Sequence, residues 1–346
     1  MTRLTIALGL LLIVMRSESR EHTNLPYGFA AAFGAVHMFA RPLAFATGAI
    51  CLATLLAYGG RWSWFCELLV NFRTHYALLL GLVLVVAAAL RHWRVAGFAA
   101  MGLALNVWPM YGAFFGPGTP PVSNARAVRV VAFNVNIANH NLPGVAAYLE
   151  SKEVDVAVLE ELSPANADRL AALLPRLPYR YLAQNEDIWG VVILSRWPLI
   201  APQPATQDGL LFAARAEIDL GDRKFRLYGA HLNWPVTPAN VRVRNAQLQA
   251  LGRELAECPH ACVVVGDFNV TPWSSHFRDV LKSNGVHDCA AGRGLLGTWY
   301  SALPAVLRIR IDQCLMAGAV RVAGVHVGES VGSDHFATIN DLLIGP

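Results

Sequence analysis

Residues 261–269 read ACVVVGDFN, a run of small and β-branched apolar residues that stops on Gly266-Asp267 and continues as Phe268-Asn269. A short continuous apolar run of this kind is expected to be a buried strand. A buried strand that ends on a carboxylate is costly unless that end opens to solvent or to a cation. The pattern recurs on both sides. Upstream, VVAFN ends in Asn134, VAVLEE ends in Glu160 and Glu161, and YGAHLN passes through His231 to Asn233; downstream, IRID ends in Asp312 and VGSDH in Asp334 and His335. One polar strand end is ordinary, but six in succession gather side chains at one rim of a sheet.

Around these ends the chain alternates strand-like and helix-like stretches. Period-two or continuous apolar runs predict strands at 128–134, 154–160, 190–195, 211–219, 224–232, 261–267, 308–315, 319–327 and 336–343. Amphipathic stretches predict helices at 143–152, 164–174, 238–256 and 272–283, the first and last opened by Pro143 and Pro272. This mixture implies an α/β architecture with helices covering sheets.

Carboxylates and amides are hard oxygen ligands, which favour Mg²⁺ or Mn²⁺. Asn134, Glu161 and Asp334 supply such a set. A zinc site would want histidines or cysteines at short spacing, such as HExxH, which is absent. Cys258 and Cys262 are not followed by a second pair at zinc-finger spacing, and packing or a disulfide is left open for the six cysteines. His231 and His335 add groups that transfer protons near neutrality. Together these residues suit hydrolysis at phosphorus, where charge is neutralised and water made nucleophilic.

The ordered set FNVN, VLEEL, GVVILSR, GAHLN, GDFN, IDQCL and GSDH resembles the endonuclease/exonuclease/phosphatase superfamily, the DNase-like fold, over about residues 128–346. The resemblance implies a two-sheet α/β sandwich flanked by helices, and Mg²⁺-dependent cleavage of phosphoesters, with Mn²⁺ as the alternative ion. Carried over by position, Glu161 is the principal metal ligand beside Asn134 and Asp334, with Glu160 where the family has Gln. Asp267 and Asn269 orient the attacking water. His335 is a general base or phosphate-polarising histidine held by Asp312. His231 resembles the proton donor to the leaving oxygen, with phosphate binding as its alternative role and Asn233 sharing that contact. The family's orienting carboxylate for His231 has no counterpart, since Trp189 and Gly190 stand there and Glu186 and Asp187 are off the matching offset. Arg242 and Arg244 are expected on a solvated helix face, with a phosphate contact as the alternative; Trp273 is expected to pack, and Trp299 and Tyr300 to lie on a loop ahead of the IDQCL strand, with shaping of substrate entry as the alternative.

The front of the chain is different in kind. The whole has 346 residues, 55% apolar and only 15% charged, with a mean hydropathy of +0.39. This excludes disordered, collagen-like and disulfide-scaffold classes. Residues 1–120 hold 8 Lys and Arg against 3 Asp and Glu, and the remainder holds 20 against 21, so the net charge of +4 belongs to the first third. The near-neutral remainder argues against broad electrostatic binding of nucleic acid. Uncharged stretches at 43–60, 76–90 and 95–116 are expected to be three transmembrane helices, flanked by Trp62, Trp64, Trp93 and Trp108 and by His37, His75 and His92 as interface residues. Arg91-His92-Trp93-Arg94 is the most basic short loop and is expected in the cytoplasm, which sends residues after Gly116 to the extracytoplasmic side; the apolar preface with its HYALLL segment resembles a bacterial membrane-anchored branch of the same superfamily, which implies a bacterial inner membrane. Met38 is a candidate start, ahead of a single arginine and the first span. The expected organisation is a membrane region over 1–120 and a phosphoesterase domain over 121–346, divided by the GPGTPP breaker at 116–121. The functional expectation is a membrane-anchored phosphodiesterase or nuclease acting on nucleic acid or a lipid head group. The alternatives are a phospholipid or inositol-phosphate phosphatase, or a non-catalytic tethered binding module. The sequence leaves the oligomeric state open.

Overall fold

The computed structural model describes residues 27–116, 123–185, 188–207, 209–282 and 285–346. They fall into two compact units. One comprises the residues up to Leu56 and His75–Val107; the other comprises Ala57–Thr74 and Trp108–Pro346.

The first unit is helical, built mainly from α1 (Tyr27–Ala57), α3 (Arg73–Ala89) and α4 (Trp93–Phe114). Small residues let these helices approach closely: a Cβ on Gly102 would press on Cys51 and Leu80. Asn106 Nδ2 donates across to Thr54 Oγ1 at 2.8 Å, so the amide buried there is paired. Large apolar side chains face outward, among them Phe45, Leu82 and Val85, each more than 60% exposed. The three expected spans all lie on helices, but Ala40–Ala57 is the one stretch, among the described residues, in a helix long and apolar enough by itself to cross a membrane. The second falls short because its helix has 17 residues, and the third, a continuous helix of 22 residues, has its apolar run diluted by Asn106 and Pro109. Helix α2 (Trp64–Val70) and α3 pass the same measure only as a pair, bent by 61°. Met38 lies among residues whose side chains are not described.

The second unit is a sandwich. In chain order its strands are β1 (Arg126–Asn134), β2 (Val156–Leu162), β3 (Tyr179–Asn185), β4 (Ile188–Ser195), β5 (Leu199–Gln207), β6 (Leu210–Asp219), β7 (Lys224–His231), β8 (Ala261–Asp267), β9 (His287–Asp288), β10 (Asp312–Gly318), β11 (Val320–Val327) and β12 (Thr338–Ile344). They form one sheet in the order β11-β12-β1-β2-β4-β3 and a second in the order β5-β6-β7-β8-β10-β9. Each sheet has a single parallel pair near its middle, β1 with β2 and β7 with β8, among otherwise antiparallel neighbours. A parallel pair needs a crossover. The helices α5 (Leu142–Ser151) and α7 (Pro238–Ala256) provide it, joined on the outer faces by α6 (Pro164–Ala172) and α8 (Ser275–Leu281).

Strand periodicity sorts the core into layers. Val128, Val130 and Ala132 of β1 meet Leu227, Val263 and Val265 between the sheets. The alternate residues Val131 and Phe133 pack outward on Val145 and Leu149 of α5, and Val264 of β8 packs outward on Leu248 and Leu251 of α7. The helices start where their caps dictate: Thr237 accepts from Asn240 N, with Pro238 in the first turn.

The fold class is as the sequence implied. The expected 308–315 strand begins only at Asp312, because residues before it run with Trp299 through an isolated bridge at Ile309. The expected 272–283 helix shortens to Ser275–Leu281, capped by Ser274 rather than opened by Pro272.

Candidate active site

The two parallel pairs bring their carboxyl ends to one edge of the sandwich. The last register pair of β1 and β2 is Asn134 with Glu160; the last of β7 and β8 is His231 with Asp267. Asp267 is also the partner of Asp312, the first residue of β10. Strand direction alone therefore assembles five of the polar strand ends found in the sequence. Gly266, at φ 136°, permits this approach, since a Cβ there would collide with the Ala230 carbonyl.

An irregularity in β2 after Leu159 separates the two neighbouring glutamates. Glu160 is fully buried between the sheets, with neither carboxylate oxygen hydrogen-bonded. Glu161 turns to the open edge with φ 60° and accepts from Asn134 Nδ2 at 2.8 Å and from Ile137 N at 3.3 Å. Asn134 Nδ2 also lies 3.3 Å from Asp267 Oδ2, across the sandwich. Asn269 has φ 50°; its amide N donates to Asp267 Oδ1 at 2.8 Å and its Nδ2 to the Leu232 carbonyl at 2.9 Å. Left-handed backbone at a non-glycine residue costs about 1–3 kcal/mol and persists only where the surroundings over-determine it.

His335 is buried against Asp312, whose carboxylate lies 3.0 and 3.2 Å from Nδ1. Thr298 Oγ1 donates to the same carboxylate at 2.5 Å. The other ring nitrogen, Nε2, lies 3.7 Å from Asp267 Oδ2. His231 Nε2 is 3.9 Å from both Glu161 and Asp267. Asp334 accepts from Asn136 Nδ2 at 2.5 Å and from Trp299 Nε1 at 3.1 Å. Sequence reasoning did not single out Asn136, although it stands in the FNVN motif, nor the indole contact of Trp299.

The charges sort by burial and neighbours. Burial, reinforced by Asp312 and opposed by His335, raises the Asp267 carboxyl to about 7. Burial, with His335 nearby, lowers His231 to about 4, so its ring is neutral at pH 7. Burial would lower His335 too, but Asp312, Asp267 and Asp334 outweigh it and push that ring up to about 10. Burial also raises Glu161 against the hydrogen bond from Asn134, and raises Glu160 strongly beside Asp312 and Asp267.

This is a site with a deficit of positive charge. Glu160, Glu161, Asp267, Asp312 and Asp334 converge, and among the described residues no Lys or Arg forms an ion pair with any of them. Such a donor set fits a hard divalent cation. One cluster able to hold an ion is Asp267, Asp312 and His335, with ligand atoms within 4.8 Å of one another. Its Asp312, however, is already engaged by His335 and Thr298, whereas Glu161 keeps an open side.

Other expectations meet specific contacts. Arg244 is neither solvated nor at the open edge: it is fully buried, with Nη2 2.9 Å from Glu67 Oε1. The physical reason is that α2 covers that face of α7. Arg242 is exposed and Trp273 is packed, as expected. Glu186 and Asp187 lie outside the described residues.

A model of the Endonuclease/Exonuclease/phosphatase family matches residues 131–335. No curated protein sequence matches the chain. Similar folds occur in D. rerio TDP2 complexed with single strand DNA product, at 18% identity, TM-score 0.53, and coverage of 62% of this chain and 98% of that one. The endonuclease/exonuclease/phosphatase from Beutenbergia cavernae has 20% identity, TM-score 0.53, and coverage of 64% and 72%. A mannosyl-6-phosphatase from Bacteroides thetaiotaomicron has 15% identity, TM-score 0.51, and coverage of 62% and 99%.

Proposed function

This chain belongs to the endonuclease/exonuclease/phosphatase family and is a phosphoester hydrolase of that family, and we propose that it is a membrane-anchored, Mg²⁺-dependent phosphodiesterase or nuclease. The observation that carries the reading is the convergence of Asn134, Glu161, His231, Asp267 and the His335–Asp312 pair on one edge, with acid groups in excess of cations.

In this reading Glu161, Asn134 and Asp334 hold the divalent ion. When bound, that ion neutralises phosphate charge and acts as a Lewis acid, with Mn²⁺ able to replace Mg²⁺. Asp267, titrating near neutrality, accepts a proton from the attacking water, and Asn269 orients that water. His335, held as an imidazolium by Asp312, donates to a phosphate oxygen. Its contact with Asp312 and its raised pKa support the phosphate-polarising role over the base. His231 is neutral and sits opposite Asp267, which suits a hydrogen bond to a phosphate oxygen and not delivery of a proton to the leaving oxygen, since that role needs the imidazolium.

The anchor reading rests on the apolar Ala40–Ala57 helix and on the outward-facing Phe45, Leu82 and Val85. We take residues 1–120 as the membrane region, multi-pass, and 121–346 as the catalytic domain. Cys258–Cys262 and Cys289–Cys314 are disulfides, both in the second unit, which supports an oxidising, extracytoplasmic compartment for it.

One observation favours a second substrate class, the phospholipid head group. Trp234, Val236 and Tyr300 are exposed on the loops that follow Asn233 and Trp299. The test is hydrolysis by the full chain in detergent, with Mg²⁺ or EDTA, of plasmid DNA, RNA and mixed phospholipids. Metal-dependent cleavage of nucleic acid supports the leading reading, release from lipid alone moves the protein to the second class, and no turnover of any ester contradicts both.

A further inference from the structure

The segment Ala57–Thr74 lies in the same compact unit as the sandwich, and two of its buried polar side chains, Glu67 and Asn71, are spent on a single loop. Glu67 is 1% exposed. Its Oε1 accepts from Ser274 Oγ at 2.6 Å and from Arg244 Nη2 at 2.9 Å. Arg244, itself fully buried, donates from Nη1 to the carbonyl of Asn269 at 3.0 Å. One turn further along, Asn71 Oδ1 accepts from both the backbone N and the hydroxyl of Thr271, at 3.1 and 3.0 Å. A Cβ on Gly60 would meet Glu67 Oε2 at 2.6 Å, so the chain folds closely over the carboxylate.

These contacts converge on residues 269–274, directly after Asp267. Asn269 holds a left-handed backbone, which needs external fixing. Asp267 and Leu232 fix its N–H and its side chain; Arg244 alone, among the described contacts, fixes its carbonyl. A buried guanidinium keeps its aim only while its counter-charge is present, because an unpaired buried charge is strongly disfavoured.

We propose that Glu67 and Asn71, on the segment that joins the first two apolar helices, are positioning residues for the reaction: Glu67 acts through Arg244 on Asn269, and Asn71 on Thr271. This rests on the reading of Asn269 as the residue that orients the attacking water. Neither Glu67 nor Asn71 is expected to touch substrate or metal. The two residues make the segment beside the apolar helices part of the hydrolytic machinery, so turnover depends on how that segment is seated. A catalytic fragment that starts at residue 121 lacks it.

The test uses the full chain in detergent micelles, as wild type and as the variants Glu67→Ala, Glu67→Gln, Asn71→Ala and Arg61→Ala. Two readouts are taken: hydrolysis of bis(p-nitrophenyl) phosphate with Mg²⁺, and hydrogen exchange of the backbone amides of 268–275. In Glu67→Ala, kcat is expected to fall on the order of 100-fold with KM nearly unchanged, since a misplaced group costs rate rather than binding. Exchange in 268–275 is expected to rise at least about tenfold as the loop opens locally. Glu67→Gln, which keeps an acceptor for Ser274 and Arg244, should recover most of both losses. Asn71→Ala should follow Glu67→Ala in direction, while Arg61→Ala, which breaks only an exposed pair with Asp279, should match wild type.

If Glu67→Ala does not fold, the double variant Glu67→Leu with Arg244→Leu removes the link without leaving a buried charge, and the same losses are expected. Unchanged exchange in the folded variants overturns the proposal. So does faster exchange with undiminished kcat. If wild type turns over no ester, the hydrolase reading fails by itself, and the exchange data alone then decide whether the segment holds the loop.

Discussion

The amide of Asn134, at the end of one sheet, points at Asp267 Oδ2, at the end of the other, from 3.3 Å. The same amide nitrogen donates to Glu161 at 2.8 Å. One side chain therefore ties the expected metal side of the edge to the expected water-activating side. Groups that act as a unit are non-additive. Asn134→Ala and Asp267→Ala are each expected to lower kcat about 100-fold or more, and the double variant to be little worse than the poorer single one. Steady-state kinetics of the three variants check this; multiplication of the two losses would mean that the residues act independently.

The pH dependence of turnover should report Asp267 and His335. Asp267 accepts a proton only when ionised, and its carboxyl is raised to about 7; His335 donates only when protonated, up to about 10. A rate profile rising through about 7 and falling near 10 is expected. His335→Gln should lose the alkaline limb and keep the acid one. A persistent alkaline limb in that variant would assign it to another group.

The same two groups make the metal-free fold lose stability as pH rises. His335 has a folded-state pKa above its ordinary 6.5, so its pairing with Asp312 stabilises fully below about pH 6.5 and is lost as pH rises through about 10. Asp267, raised from 3.8 to about 7, adds a loss of the same sign that begins near pH 4 and is complete by about 7, because ionising it in the folded state is disfavoured. Urea unfolding in EDTA should show stability declining from pH 6 to 10, and His335→Gln should flatten the upper part of that decline. A rise over this range would contradict the assignment.

The two disulfides should differ in weight. Cys289–Cys314 closes a loop of 25 residues, whereas Cys258–Cys262 closes one of 4. Constraint of the unfolded chain scales with loop length, so Cys289→Ala with Cys314→Ala is expected to cost about 3 kcal/mol. The shorter pair should cost clearly less. Denaturant midpoints of the two double variants measure the difference.

Much of this was legible in the sequence, for identifiable reasons. The β8 strand and the α7 helix begin and end where expected, because all seven β8 residues are buried and Thr237-Pro238 is a cap that works locally. The edge strands β3 and β5 were missed. Tyr179–Asn185 is polar, and Leu199–Gln207 contains two prolines, which only an edge tolerates. The resemblance already favoured Glu161 over Glu160, but the irregularity in β2 that turns the two apart is announced by no local pattern. Glu67 and Arg244 are 177 residues apart, so their pairing is a tertiary fact. A signal for it was nonetheless present: Glu67 is the sole acidic residue between positions 22 and 149, set in an apolar region where a carboxylate needs a reason.

The central claim is that these strand ends form one metal-dependent hydrolytic site. The most direct measurement is hydrolysis of bis(p-nitrophenyl) phosphate by the full-length wild type and by His335→Ala, each with Mg²⁺ and with EDTA. Turnover by wild type that EDTA abolishes, and that His335→Ala lowers by about 100-fold or more, is the expected result. Turnover that survives either EDTA or the loss of His335 would contradict the account.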